Sequence, residues 1–282
     1  MIFFKARCCF LALCLLLFSN VQAQDPYSTG TLFSFGASSM GMGNASMFTV
    51  DTWSSVNAIG RTSQLDNPSI AIGHNYSFQE LSLSTKGVAA VFPFKHFVLS
   101  TSFLRFGDAV LSEQDISVGI AHQIGIVEMG LGTSWRQVGG NYLNHLSALL
   151  VHYHLVAHLS DYFSIGLNLK NIGQNNYEVG EFGADISSLY ALGFEYKIDD
   201  ELRFVTEINK LKYHDLSYKI GLEYSLHKSI IIRGGTTLFP VDIYLGTTVL
   251  YKYWSFDYAF ATDDIFGWSH QFSLEYTITK RK

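Results

Sequence analysis

The feature of this sequence that most constrains its fold is a two-residue alternation of apolar and polar side chains, repeated along most of the chain. In residues 216–227, apolar or aromatic side chains occupy every even position from Leu216 to Leu226, and polar or small residues occupy the odd positions. Successive side chains of a β-strand point to opposite faces, so this pattern predicts a strand with one apolar face. Similar stretches begin at Phe163, Trp254 and Phe272.

The alternating segments predict an all-β fold, a transmembrane antiparallel β-barrel of about fourteen strands. Each segment is about ten residues long, the length that a tilted strand needs to cross a hydrocarbon layer. A soluble β-sandwich is the alternative, but it accounts less well for so many long strands with a polar second face. The predicted strands are 70–80, 86–94, 96–106, 114–124, 126–138, 145–157, 162–172, 186–198, 201–209, 215–227, 229–239, 242–251, 253–262 and 268–279.

Residues 1–23 are predicted to be a cleaved signal peptide. Lys5 and Arg7 form a basic start, an apolar run covers residues 10–18, and Ala23 completes a small-residue cleavage site before Gln24. An uncleaved anchor and a lipoprotein modified at Cys14 are the alternatives. The leader predicts export to the bacterial outer membrane.

The mature chain is expected to lack disulfides and to carry a net negative charge. All three cysteines lie in the leader: Cys8, Cys9 and Cys14. Removing Lys5 and Arg7 leaves 17 of the 19 basic residues against 24 acidic ones, a net charge of −7. Nothing in this balance suggests nucleic-acid binding. No apolar run after residue 23 is long enough to cross a bilayer as a helix.

The connections between predicted strands alternate in length. The longer ones cover 107–113, 139–144, 173–185 and 263–267, and long outer loops with short periplasmic turns are typical of membrane barrels. An even barrel then places both termini in the periplasm. Four aromatic residues in or beside these loops are candidate anchors for a protein partner, or else they mark the membrane interface. They are Tyr177, Phe182, Phe266 and Trp268.

Residues 24–69, called the N-terminal segment below, do not alternate and precede the barrel region, 70–282. The segment is rich in Gly, Ser, Met and Asn, which predicts a hatch inside the lumen. Its small-residue run has neither the preceding strand nor the following helix of a phosphate-binding loop. The residues of the predicted hatch motif are Gly36, Gly41, Gly43, Asn44, Ala45, Asp51 and Asn57.

The run from Gly36 to Ser46, followed by Asp51 and Asn57-Ala58, resembles the N-terminal signature of the PorV/PorQ family, within the FadL-like outer-membrane barrels of Bacteroidota. The stretch from Glu80 to Pro93 and the Phe106-Gly107 turn resemble the same group. The resemblance implies a fourteen-stranded barrel with an N-terminal hatch. For the FadL branch it implies uptake of hydrophobic molecules, released sideways through a strand kink. For the PorV/PorQ branch it implies an accessory function in type IX secretion.

Several polar residues fall in the phase of the strands that is predicted to face the lumen. Opposite charges there are expected to pair across strands and hold a hatch. His152 and His154 share this phase, and their spacing suits a metal, although hydrogen bonding inside a polar barrel is the simpler interpretation. The lumen candidates are Glu128, Arg136, His152, His154, Lys219 and Glu223.

We expect no enzymatic activity, cofactor or metal, since no spacing of residues picks out a catalytic set. The expected partners are outer-membrane lipid and proteins of a secretion or assembly complex. An accessory function in type IX secretion or surface-protein assembly is favoured over a channel for hydrophobic small molecules, because the inward phase of the strands is polar.

Overall fold

The computed structural model describes residues 34–77, 84–141, 143–177, 185–212, 214–239, 241–263 and 267–278. It contains fourteen antiparallel strands that close into one barrel, which confirms the predicted fold class. The strands are β1 Ser69–Tyr76, β2 Thr85–Pro93, β3 Val98–Gly107, β4 Ser112–Ile124, β5 Val127–Gly140, β6 Leu143–His158, β7 Phe163–Lys170, β8 Leu189–Lys197, β9 Leu202–Leu211, β10 Leu216–His227, β11 Ile230–Leu238, β12 Asp242–Tyr251, β13 Trp254–Asp263 and β14 Gly267–Thr277.

Each strand pairs with its neighbours in sequence, and β1 closes the ring against β14. The closing pair runs from Ser69 opposite Thr277 to Tyr76 opposite His270. Closure satisfies the backbone hydrogen bonds of what would otherwise be two edge strands. The predicted signal peptide, residues 1–23, and the first residues of the N-terminal segment lie outside the described residues.

One end of the barrel carries short turns, and the longest described connection lies at the other end. The connections 125–126, 228–229 and 252–253 belong to the short-turn end, where β1 begins and β14 ends. At the opposite end, strands β5 and β6 extend further than predicted and leave only residues 141–142 between them. The loop expected at 139–144 is therefore mostly strand. Residues 171–188 form the long connection between β7 and β8.

Burial alternates along the strands and separates an inward from an outward phase. The acidic residues of the described strands are found in only one of these two phases. Every acidic strand residue whose side chain the structure describes lies in the inward phase. They are Glu113, Asp115, Glu128, Glu195, Glu207, Glu223, Asp242, Asp257 and Glu275. The outward phase is dominated by exposed apolar side chains, as expected for a wall that faces lipid.

Within residues 34–68, three short helical elements precede the barrel: α1 Ala37–Gly41, α2 Ser54–Asn57 and a 3-10 helix at Ile59–Gln64. Helix α1 packs on β11 to β14, and the 3-10 helix packs on β3 to β6. No helix in the part of the chain that the structure describes is long and apolar enough to cross a membrane.

Candidate functional site in the barrel lumen

The described part of the N-terminal segment, residues 34–68, lies inside the ring of strands and is largely buried there. Small inward residues make room for its backbone. A Cβ atom added at Gly43 would lie 2.8 Å from the backbone nitrogen of Thr236, and one added at Gly130 would lie 2.3 Å from the backbone nitrogen of Gly60. Contacts this close require glycine at these positions, because backbone atoms have nowhere to move. Gly41 and Gly43 of the run 36–46 thus pack against the wall, whereas a Cβ atom at Gly36 would lie 2.7 Å from the Trp53 side chain of the segment itself.

Three apolar clusters join the segment to the wall. In each, large side chains of the segment pack against mostly small inward residues of the strands, together with a few Val and Leu residues and Tyr244. Phe35 and Trp53 pack edge to face, with ring centroids 4.7 Å apart. The large segment side chains are Phe35, Trp53, Met40, Met42, Met47 and Phe48. The segment therefore supplies much of the apolar surface in the lumen, although the inward phase of the strands is polar.

A buried ion pair ties the segment to β5. Nη1 of Arg61 donates to both carboxylate oxygens of Glu128, at 2.6 and 2.8 Å. Nε2 of Gln64 donates to Oε1 of Glu128 at 2.7 Å, and Nε2 of His158 lies 2.5 Å from the same oxygen. The side chain of Glu128 is fully buried, so these partners replace the water that a carboxylate needs.

The strands hold the segment backbone from several other directions. Oε1 of Glu207 accepts a hydrogen bond from Met47 N at 2.6 Å, and Lys219 Nζ donates to the carbonyl of Asn44 at 2.9 Å. Five more contacts of this kind are Lys170 Nζ to Val56 O (2.8 Å), Asn168 Nδ2 to Asn57 O (2.7 Å), Arg203 Nη1 to Phe48 O (3.1 Å), Ala37 N to Ser273 Oγ (3.0 Å) and Thr52 N to Glu275 Oε2 (2.9 Å). The wall thus satisfies backbone groups that the irregular segment leaves unpaired.

Asn57 and Asp51, both in the predicted hatch motif, bond mainly within the segment. Oδ1 of Asn57 accepts from Phe35 N at 2.8 Å, and its Nδ2 donates to Phe35 O at 2.7 Å. Asp51 accepts from the hydroxyl of Ser38 and, at 3.0 Å, from the backbone N–H of Ser54 at the start of α2. Burial raises the pKa of the Asp51 carboxyl to about 6 from its ordinary value of 3.8.

The other predicted lumen residues lie inward but have different partners from one another. Arg136 Nε contacts Asp115 at 3.1 Å and Glu113 at 3.4 Å, in an ion-pair group that joins β4 to β5. Glu223 lies between two arginines: its Oε1 is 2.7 Å from Nε of Arg203, and its Oε2 is 2.6 Å from Nε of Arg233. Of this set, Glu128 and Lys219 have hydrogen bonds to the segment.

The two histidines form no metal site among the described residues. His152 bonds Ser134, with Nε2 2.9 Å from the hydroxyl oxygen. His154 is fully buried, and its ring lies against Gly60 and the backbone of Met47. The two rings therefore have separate neighbours.

The four candidate partner anchors differ in how exposed they are and in whether the structure describes them. Tyr177, expected to be an exposed anchor, is only 2 % exposed and packs against Ala148, Leu150 and Ile186. Strand β7 ends at Lys170, opposite His152, so the outer part of β6 extends beyond it. Just past β7, the backbone N–H of Ile172 donates to the carbonyl of Val151 in that part of β6, at 3.0 Å. Trp268 is 54 % exposed in the outward phase of β14. Phe182 and Phe266 lie outside the described residues.

Four residues that join the segment to the wall were not predicted from the sequence: Arg61, Gln64, Lys170 and Asn168. Arg61 and Gln64 bond Glu128 of the wall, and Lys170 and Asn168 bond the backbone of the segment. One signal was available: Arg61 is the only basic residue between Gln24 and Ser69. A single cation in a segment predicted to enter a lumen lined with acids would be expected to bind one of them.

No protein-family model matches the sequence, and the comparison with curated proteins finds no match. Solved structures do match. The P. putida toluene transporter TodX has a TM-score of 0.64 at 9 % identity, covering 89 % of this chain and all of that one. The monoaromatic hydrocarbon channel CymD gives 0.66 at 10 %, covering 89 % and 99 %. A Pseudomonas aeruginosa FadL homologue gives 0.60 at 12 %, covering 86 % and 97 %. The chain therefore has the fold of these FadL-like barrels.

Proposed function

We propose that this chain is an outer-membrane channel for hydrophobic small molecules, of which monoaromatic hydrocarbons are the first class to test. The observation that carries the proposal is the set of apolar clusters between the N-terminal segment and the strands. A hydrophobic molecule needs an apolar surface with few polar groups, and Phe35, Trp53 and the methionines of the segment offer one inside a polar barrel.

Two further features support this function. The outward phase of the strands is apolar and free of acids in its described part, as a lipid-facing wall requires. The fold is that of TodX and CymD, whose names give toluene and monoaromatic hydrocarbons as what they carry. In this chain, displacement of the cluster around Trp53 would expose an apolar path beside β1 to β3, the strands that this cluster contacts.

Binding of toluene to the purified full-length protein tests the proposal. Trp53 fluorescence should change saturably on addition of toluene and remain unchanged with glucose. A Trp53→Phe variant should lose the signal, whereas Trp268→Phe, which alters an outward tryptophan, should keep it. Uptake of labelled toluene by cells should fall when the protein is deleted. Unchanged uptake together with no saturable binding would refute the channel.

The accessory function in type IX secretion is the second candidate, and it is supported by the resemblance of residues 36–46 to the PorV/PorQ signature. Affinity purification in mild detergent, followed by mass spectrometry, distinguishes it from the channel. Secretion proteins recovered with the barrel, and a secretion defect in the deletion strain, would favour the accessory function. A barrel recovered with hydrophobic small molecules, and normal secretion, would favour the channel.

A further inference from the structure

The outward phase of the strands carries charge at only three described positions, and all three are basic: Lys86, Arg105 and Lys210. Two of them are direct neighbours, because Lys86 of β2 lies opposite Arg105 of β3. His74 of β1 lies opposite Lys86 on the other side. We call these three residues the outward basic row. Lys86 and Arg105 form no ion pair with any described residue, and Nε2 of His74 is buried without a described hydrogen-bond partner.

The basic row marks one edge of the apolar wall. One step closer to the short turns, the next outward residues are Ile72, Val88 and Phe103, all exposed. The row itself lies towards the end that carries the β7–β8 connection, which is the outer end if the short turns are periplasmic. Lys86 and Arg105 therefore lie at the depth of lipid headgroups in the outer leaflet.

Two recesses meet at Lys86. One, of about 320 Å³, is lined by Ser84, Lys86, Arg105 and Gly107. Asp108 also lines it, but Oδ1 of this residue already accepts the backbone N–H groups of Val110 and Leu111, at 2.8 and 3.2 Å. The second recess is a groove of about 630 Å³ along the outer wall. Its apolar lining includes Ile72, Phe256, Phe272 and Leu274, and it ends at His74 and Lys86.

We propose that this face binds a phosphate-bearing lipid of the outer leaflet, with its phosphate between Lys86 and Arg105 and an acyl chain in the adjoining groove. Cations without an ion-pair partner among the described residues attract anionic lipid at headgroup depth, and charge-assisted hydrogen bonds to phosphate oxygens would satisfy both. A free anion would leave the groove without a function, whereas a lipid fits both recesses at once. The proposal rests on the membrane location proposed above, and it is independent of what passes through the lumen.

The test is binding of diphosphorylated lipid A to the full-length protein in a non-ionic detergent. Lys86→Gln combined with Arg105→Gln should weaken binding about thirtyfold, since each basic residue near an anionic surface strengthens binding roughly fivefold. Lys210→Gln is the matched control, because it removes an outward cation of the same end whose Nζ already donates to the carbonyl oxygen of His214; less than a twofold change is expected. Heat-modifiable migration on a gel verifies that each variant is folded.

Two ligand controls separate the sources of the phosphate. Dephosphorylated lipid A should bind as weakly to the wild type as the intact lipid binds to the double variant. Inorganic phosphate alone should bind far more weakly than the lipid, because it cannot use the groove. The proposal is overturned if the double variant binds like the wild type, if dephosphorylated lipid binds equally well, or if inorganic phosphate binds as tightly as lipid A.

Discussion

Replacing Glu128 with Gln should release the 3-10 helix of the N-terminal segment from the wall. In the native protein this carboxylate receives two hydrogen bonds from Arg61, one from Gln64 and a short contact from His158. The amide keeps the shape of the side chain but removes the charge. Arg61 then remains a buried cation without its partner, since its side chain is only 7 % exposed.

The magnitude follows from that burial. Removing one partner of a buried ion pair costs about 3–5 kcal/mol, mostly because the other charge is left uncompensated. If the cost falls on the docking of the segment, the open fraction of the lumen rises by roughly two to four orders of magnitude. Replacing both residues with Met should recover much of the loss, because no unpaired charge then remains.

Single-channel conductance in planar bilayers measures the opening. Glu128→Gln should show frequent open events, and the double Met variant should show fewer. Asp115→Asn is the control: it breaks the ion pair with Arg136, which joins β4 to β5 rather than the wall to the segment. If Asp115→Asn opens the lumen as much as Glu128→Gln does, or if Glu128→Gln conducts like the wild type, the ion pair does not hold the segment.

Three further predictions concern the segment. Gly130→Ala should displace the 3-10 helix and raise conductance, because the new Cβ atom would lie 2.3 Å from the backbone nitrogen of Gly60. Gly234→Ala is the control and should leave conductance unchanged, because its Cβ atom would meet only the Leu245 side chain, at 3.9 Å. Asn57→Ala should expose residues 35–39 to hydrogen exchange, since it leaves the buried N–H and carbonyl of Phe35 unpaired at about 1–3 kcal/mol each; unchanged protection would contradict this. The raised pKa of Asp51 means that the native state binds a proton at this carboxyl more tightly than the unfolded chain does. Docking of the segment should therefore weaken as pH rises from about 4 to about 6. The conductance of Asp51→Asn should not show this pH dependence.

The strands could be predicted from the sequence because alternation is a local signal. The predicted boundaries fall close to those observed, and the inward phase of Glu128 and His154 follows from counting along one strand. Strand ends were less predictable: β6 runs for 16 residues and its neighbour β7 for 8, and Tyr177, which follows β7, is buried against Ala148 and Leu150 of β6. Nothing near Tyr177 in the sequence reports the length of the neighbouring strand.

The contacts of the lumen could not be read from local patterns. Arg61 and Glu128 are separated by 67 positions, and Met47 and Glu207 by 160. Such pairs depend on the closed ring and on the path of an irregular segment, for which the sequence has no periodicity. The polar inward phase was predicted, but the apolar side chains of the segment that occupy the same space were not taken into account, and this made a hydrophobic path look less favourable than it is.

The hydrogen bonds from Ala37 N to Ser273 and from Thr52 N to Glu275 bear on the order of assembly. They join the start of the chain to its last strand, across 236 and 223 positions. Contacts so distant in sequence form late, because the entropy of a very long loop must first be lost. The ring closes where β14 meets β1, directly after the segment. A segment already docked on β1 to β3 presents N–H donors to the incoming strand. It can therefore act as a template that selects the register of the final strand, and the seam then closes around it.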